Sequence, residues 1–178
     1  MTGQVLGVSR VPVVKRQWLP AYDPRAVKGI GVTYCTSSMG ADHTSGYAVA
    51  TNIMNVGGSV NPLDKQNQVE LSRNLQVATA VLDSAGLCIF IAFAVLDIPS
   101  GMEGVMEMLS AALGREVSQE EFFIMGQKVL KIEKDFNTRA GFSKKDDRLP
   151  RLFTTEKLSP HGAVFDVSDE EIDGFFDF

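Results

Sequence analysis

Asp83-Ser84-Ala85-Gly86-Leu87-Cys88 puts a carboxylate, a glycine turn and a thiol within six residues. A cysteine in that position can supply a thiolate to a metal centre. The carboxylate and the backbone amides of the turn can hydrogen-bond a polar cofactor. An iron–sulfur cluster takes four protein ligands, usually all thiolates. The chain has 2 cysteines, Cys35 and Cys88, so a cluster held by Cys88 needs donors from other polypeptide. The alternative is that Cys88 is a small buried hydrophobe, as free cysteines often are. Cys35 reads more simply as an inert core residue.

His43, in Gly40-Ala41-Asp42-His43-Thr44-Ser45-Gly46, is the second candidate. Histidine exchanges protons near neutrality, and flanking glycines let backbone approach a ligand closely. A loop histidine satisfied by local hydrogen bonds explains the same residues. Asp83 is either a solvated residue at a helix C-terminus, where it opposes the dipole, or an acceptor for an N–H-rich ligand. Cys35, His43, Cys88 and His161 lack the close paired spacing of zinc modules. His161, between Pro160 and Gly162, reads as a turn residue. Arg139 is expected to cap carbonyls or to pair with Asp146 or Asp147.

The elements that must position these residues are helical. Scattered valines in residues 1–20, broken by Pro12 and Pro20, predict extended structure. Asp23-Pro24 reads as an N-cap and first helical residue, with Val27, Ile30 and Tyr34 on one stripe. Gly29 and Gly31 inside that helix each cost about 1 kcal/mol relative to alanine, which implies close approach by backbone or a ligand. Asn61-Pro62 opens a helix to 82 with Leu71, Leu75, Ala78 and Leu82 on one face. The 83–88 turn follows, then a buried apolar helix from 87 ended by Pro99. A helix over 101–113 points Val105, Met106, Leu109 and Leu113 inward and closes at Gly114. Ser118 to Glu121 is a capping box for a long helix with Phe122, Met125, Val129, Ile132 and Phe136 on its inner stripe. An irregular stretch over 143–166 includes a short β-ribbon near 152–165. Ser168 caps a last helix that packs Ile172 and Phe175. The fold class expected is mainly α, an irregular multi-helix domain over 1–178 with long ordered loops.

Composition excludes several roles. The chain of 178 residues is 44% hydrophobic and 22% charged, ordinary for a globular protein with a substantial core. A net charge of −5 argues against general nucleic-acid binding. The local basic cluster Lys144, Lys145, Arg148 and Arg151 is interrupted by Asp146 and Asp147, as on a solvated face or an interface. The apolar run 87–96 is half the roughly 20 residues of a membrane span. Residues 1–15 lack the apolar core of a signal peptide. Two cysteines make no disulfide framework, and a cytoplasmic location is expected.

The pieces form an ordered series: Leu19-Pro-Ala-Tyr-Asp-Pro-Arg25, Lys28-Gly-Ile-Gly31, Thr33-Tyr34, Gly40-Ala-Asp-His43, Asp83-x-x-Gly-Leu-Cys88, and Phe136-Asn-x-Arg-x-Gly-Phe142 with Asp146-Asp147-x-Leu-Pro150. Together they resemble the C-terminal third of the tungsten-containing aldehyde:ferredoxin oxidoreductases, from about residue 12 to the end. The resemblance implies an enzyme that oxidises aldehydes to carboxylic acids with tungsten, or molybdenum, bound by two pterin dithiolenes. It implies a [4Fe–4S] cluster that passes electrons to ferredoxin or another redox protein. On that resemblance Cys88 is the fourth cluster ligand, Asp83, Gly86 and Leu87 contact a pterin, and His43 transfers protons near the metal.

Some family members carry a lysine two positions after the histidine, where this chain has Ser45. The other three cluster cysteines and the N-terminal pterin-cradling and middle domains have no counterpart in the sequence. The resemblance therefore implies a chain inactive alone, whether a separated domain, a truncated product or one part of a split enzyme, partnered by the remaining domains or by a second copy. The competing reading is a non-catalytic helical module that binds a protein through the same surface. An apolar patch near residues 30–50 and 83–92 is expected on either reading.

Overall fold

The computed structural model describes residues 2–178, with side chains other than those of Thr2, Gln4 and Leu96. It is mainly α-helical, as the sequence predicts. In chain order the elements are α1 (Thr2–Val5), β1 (Val13–Val14), β2 (Gln17–Trp18), α2 (Lys28–Thr36), α3 (Val49–Ile53), α4 (Gln68–Ser84), α5 (Ile89–Asp97), α6 (Pro99–Leu113), α7 (Gln119–Arg139), α8 (Arg151–Thr155) and α9 (Asp169–Asp173). Strands β1 and β2 form an antiparallel hairpin with Val13 opposite Trp18 and Val14 opposite Gln17. Its two loop residues, Lys15 and Arg16, both have positive φ (47° and 69°), the conformation a two-residue hairpin turn requires. The ribbon expected near 152–165 is reduced to α8 and a single bridge between Leu158 and Ala163.

Helix α2 is the centre of the first core, and all nine of its residues are buried. Asp23 does not cap it. The Asp23 carboxylate instead accepts from the Arg25 amide (2.9 Å) and pairs with the Arg25 guanidinium (2.6 Å), and α2 starts only at Lys28. Gly29 and Gly31 are there for contacts within the chain. A Cβ on Gly29 would overlap Asn52, Gln68 and Ala48, and one on Gly31 would overlap the Phe165 ring. Around α2 gather Val14, Val49, Leu75, Phe153, Phe165 and Phe175. Lys28 is buried beneath a 2.6 Å ion pair with Asp166.

Helix α4 begins at Gln68, later than Asn61-Pro62 suggests. Residues 61–64 form a turn before it, in which the Pro62 carbonyl accepts the Lys28 amide of α2 (3.0 Å). Three α4 residues one turn apart, Gln68, Ser72 and Gln76, are buried polar groups facing α2. Thr33 Oγ1 and Ser72 Oγ are 2.7 Å apart, and Gln76 Nε2 donates to Thr36 Oγ1 (2.7 Å). Gln68 Nε2 donates to the carbonyls of Asn61 (2.8 Å) and Asp64 (2.7 Å). Buried polar groups without partners are costly, so this network fixes the α2–α4 register.

A second core lies at the other end of α4, where Val81 and Leu82 meet Ala92, Val95, Val105 and Phe122. Helix α5 is only half-buried, with Phe90 78% and Ile91 38% exposed, and Leu113 of α6 is 53% exposed. The inner face of α7 steps by four through Phe122, Gly126 and Leu130. Ile132 and Phe136, expected inside, are 69% and 70% exposed. Gly126 sets this phase, since a Cβ there would overlap the Val77 carbonyl oxygen of α4. The glycine lets the two helices approach closely and turns the later apolar residues outward.

Helix ends follow the sequence more closely. Gly114 closes α6 with φ 66°. Ser118 accepts the Glu121 amide, but Glu121 gives its carboxylate to Arg115 (2.6 Å) and leaves the box half made. Ser168 and Glu171 complete theirs, and Ile172 and Phe175 are buried as expected. Two residues of the basic cluster pair within the chain. Lys144 reaches Asp173 (3.1 Å), and Arg148 pairs with Asp169 (2.9 Å) and Asp173 (2.6 Å). Arg139 pairs with Asp135 in the exposed face of α7 instead of with Asp146 or Asp147. Asp147 is taken by Lys15 (2.6 Å) and by Lys134.

Candidate functional site

The Asp83–Cys88 segment is first of all the C-terminal cap of α4. Gly86 has φ 74°. Its amide donates to the Asp83 carbonyl (3.0 Å), and the Leu87 amide reaches back to the Leu82 carbonyl (2.9 Å). These are the two bonds of a Schellman motif, and the apolar contact that accompanies it is Leu87 packing on the cluster that holds Leu82. The amides of Gly86 and Leu87 are thereby occupied within the turn. Only their carbonyl oxygens remain for a ligand, which narrows the sequence expectation that backbone amides would bind one.

Cys88 follows as the N-cap residue of α5, with extended backbone and a side chain that does not cap the helix. Its thiol is exposed, so the small-hydrophobe reading of Cys88 fails. The first amides of a helix lie outside its own ladder, and the positive end of the dipole favours a negative partner there. Exposed Phe90 and Ile91 flank the thiol. Cys35 is buried, as expected, and burial pushes its thiol up to about 12.

Asp83 sits in the last turn of α4, exposed, with no hydrogen bond or ion pair to its carboxylate among the described residues. Desolvation raises its pKa above the ordinary carboxylate value, and the Asp42 carboxylate adds a smaller push in the same direction. The 40–46 loop lies against the middle of α4. Asp42 is 7% exposed and organises this loop. It accepts from the Thr44 amide (3.0 Å), the Thr44 hydroxyl (2.9 Å) and the Ser45 amide (2.9 Å). Gly46 packs directly against Gln76 and Ser72 of α4.

His43 is half-buried in an aromatic setting absent from the sequence reading. Its ring centroid lies 5.6 Å from Tyr22 and 5.9 Å from Tyr47. The two tyrosine hydroxyls are 2.5 Å apart, and Tyr34 donates to the Tyr22 carbonyl (3.1 Å). Tyr47 in turn meets Phe93 of α5 edge-on at 5.6 Å. His43 is thus tied through Tyr47 to the helix that Cys88 begins. Tyr22 belongs to the Tyr-Asp-Pro stretch noted in the sequence, but no periodicity links it to Tyr47 or Phe93. Ser45 Oγ is buried and unpartnered among the described residues. No group of three His, Cys, Asp or Glu side chains that could hold a metal ion occurs among the described residues. No described helix is long and apolar enough to cross a membrane.

The family model for aldehyde ferredoxin oxidoreductase, domains 2 and 3, matches residues 5–177. A tungsten-containing aldehyde ferredoxin oxidoreductase of Pyrococcus horikoshii is 36% identical over 151 residues, which is 84% of this chain and 24% of the relative. Enzymes of the same name from Pyrococcus abyssi and Pyrococcus furiosus are 35% and 34% identical, with the same coverage. The chain therefore spans about a quarter of the length of these relatives (24%). A Schellman turn that presents a free thiol, and a histidine between two tyrosines linked through Phe93 to the helix after that turn, are carried on a chain that belongs to the aldehyde ferredoxin oxidoreductase family.

Proposed function

We propose that this chain is the cluster-completing and proton-handling part of a tungsten-containing aldehyde ferredoxin oxidoreductase, folded as one helical unit and dependent on further polypeptide for activity. The observation that carries the reading is the exposed Cys88 thiol at the N-terminus of α5, five residues after Asp83, whose carboxylate has no partner among the described residues. It is one donor of a set whose other members must come from outside this chain. The residues fit the cofactors in that respect. Cys88 Sγ would ligate the [4Fe–4S] cluster, Asp83 would accept hydrogen bonds from a pterin, and the buried Ser45 hydroxyl, unpartnered among the described residues, would hydrogen-bond a polar group. Gly86 and Leu87 would meet a pterin through their carbonyls alone.

When bound, the tungsten bis-pterin and the cluster supply the redox chemistry, a two-electron oxidation discharged one electron at a time to ferredoxin. Oxidation of an aldehyde and water to an acid releases two electrons and two protons. His43 is the group here that accepts a proton at an imidazole nitrogen. Tyr22 and Tyr47 hold its ring, and Phe93 keeps that pair against α5. Exposed Phe90 and Ile91 would be covered by the remaining domains. The two thiols, neither in a disulfide, suit a reducing cytoplasm.

The test replaces Cys88 with serine in the full-length enzyme. Iron content and the spectrum of the reduced cluster change, while far-UV circular dichroism does not, because an exposed side chain without partners contributes little to stability. Unchanged iron and an unchanged cluster signal would rule out ligation by Cys88.

A further inference from the structure

Away from the candidate site, a cavity of about 230 Å³ opens between the 148–154 segment and the segment before α9. Its floor is Cys35, Leu149, Phe165, Val167 and Ile172, core residues each no more than 9% exposed. The Cys35 thiol is neutral, since burial pushes it up to about 12, so the floor carries no charge.

The wall is held open. Arg148 binds Asp169 (2.9 Å) and Asp173 (2.6 Å) of α9 and donates to the Asp147 carbonyl (3.0 Å). Those bonds brace α9 against the loop that carries Leu149. They also satisfy Arg148 and Asp169, the two charged groups of that wall. Arg151 lines the same cavity and is exposed, and no described carboxylate lies within ion-pairing distance of it. The cavity therefore joins an uncharged floor to one uncompensated guanidinium at its mouth.

We infer that this cavity binds a small monocarboxylate, its anionic head on Arg151 and its short apolar tail on Leu149, Phe165, Val167 and Ile172. A guanidinium matches a carboxylate in a two-bond fork. At about 30 Å³ per water, the volume equals roughly eight waters, the bulk of a six-carbon acid. Small-molecule sites combine apolar walls with a few placed polar groups; here five lining residues are apolar, and Arg148 and Asp169 are engaged with each other. The inference does not rest on the redox reading, and either can fail without the other.

The experiment is a methyl NMR titration of the chain with hexanoate, hexan-1-ol and inorganic phosphate. Hexanoate shifts the methyls of Leu149, Val167 and Ile172 saturably, with a Kd on the order of 1 mM for a ligand of this size. Hexan-1-ol and phosphate bind at least tenfold more weakly. Arg151→Gln weakens hexanoate at least tenfold, as loss of a charge-assisted hydrogen bond should. Thr154→Phe, at the exposed rim, blocks the tail and abolishes the shifts, while Arg139→Gln changes nothing. Absence of saturable shifts, equal binding of the alcohol or of phosphate, indifference to Arg151→Gln or Thr154→Phe, or loss in Arg139→Gln would each overturn the site.

Discussion

Replacing Gly86 with alanine separates the structural work of the Asp-x-x-Gly-Leu-Cys turn from any cofactor contact. Gly86 has φ 74°, and a Cβ built on it meets nothing within 4 Å. The cost is therefore purely conformational, about 1–2 kcal/mol for an L-residue in the left-handed region. For a chain of this size that lowers Tm by about 2–8 °C, at roughly 2–4 °C per kcal/mol. Asparagine tolerates the conformation better, so Gly86→Asn recovers part of the loss. Gly126→Ala supplies the contrast. Its helical backbone gains about 1 kcal/mol in propensity, but the new Cβ runs into the Val77 carbonyl. A backbone oxygen cannot rotate away, and overpacking of 1–3 kcal/mol or more outweighs the gain. There asparagine is worse than alanine. Thermal unfolding followed by circular dichroism reads both series. A Gly86→Ala protein as stable as the parent, or Gly86→Asn no better than Gly86→Ala, would refute the claim that this motif's glycine exists for the cap.

Other perturbations test the parts of the fold that hold the site. Burial lowers the Lys15 pKa despite its bonds to Asp147 and the Cys35 carbonyl (2.6 and 2.5 Å). The unfolded chain thus binds that proton more tightly, the cost is full below the folded pKa, and stability rises with pH from there to the unfolded value near 10.5. The stability difference between the parent and Lys15→Met should accordingly grow in the parent's favour across alkaline pH in urea titrations, and a flat difference refutes it. Ile132→Lys should change stability by no more than about 0.5 kcal/mol, whereas Leu130→Ala costs about 2–5 kcal/mol. Equal effects in denaturant melts would restore the inner stripe suggested by periodicity.

That stripe shows what a sequence conveys and what it withholds. Phe122 is buried where periodicity puts it, yet the rest of α7 is turned by Gly126, whose contribution is the absence of a side chain. Hydrophobicity does not register such a contact, so periodicity alone points Ile132 and Phe136 inward. The polar line Gln68, Ser72, Gln76 was readable as a repeat of four, but its burial becomes evident only once Thr33 and Thr36 stand opposite. Asp23-Pro24 and Asn61-Pro62 are genuine turn signals whose groups serve Arg25 and Lys28 instead of the next helix. Local chemistry, by contrast, was legible: Gly86, Gly114 and Ser168 make the caps their types imply. The setting of His43 was not, because Tyr22, Tyr47 and Phe93 reach it from separate elements.

Helix α4 links the two halves of the candidate site. The loop bearing His43 is anchored at its middle, where Gly46 lies on Ser72 and Gln76 and Thr33 Oγ1 donates to the Gly46 carbonyl (3.0 Å). The turn bearing Cys88 is anchored at its end, about 12 Å further along at 1.5 Å per residue from Gln76 to Ser84. Helix α5 then returns over Tyr47 through Phe93 and closes the circuit. A rigid helix with a buried polar face and a Schellman cap sets this spacing without help from any ligand. On the proposed function the histidine and the cysteine are prepositioned, and docking has only to bring the missing sulfur donors to a thiol already in place. The exposed Phe90 and Ile91 beside that thiol are where such docking would bury apolar surface, so the same contact would assemble the cluster and stabilise α5.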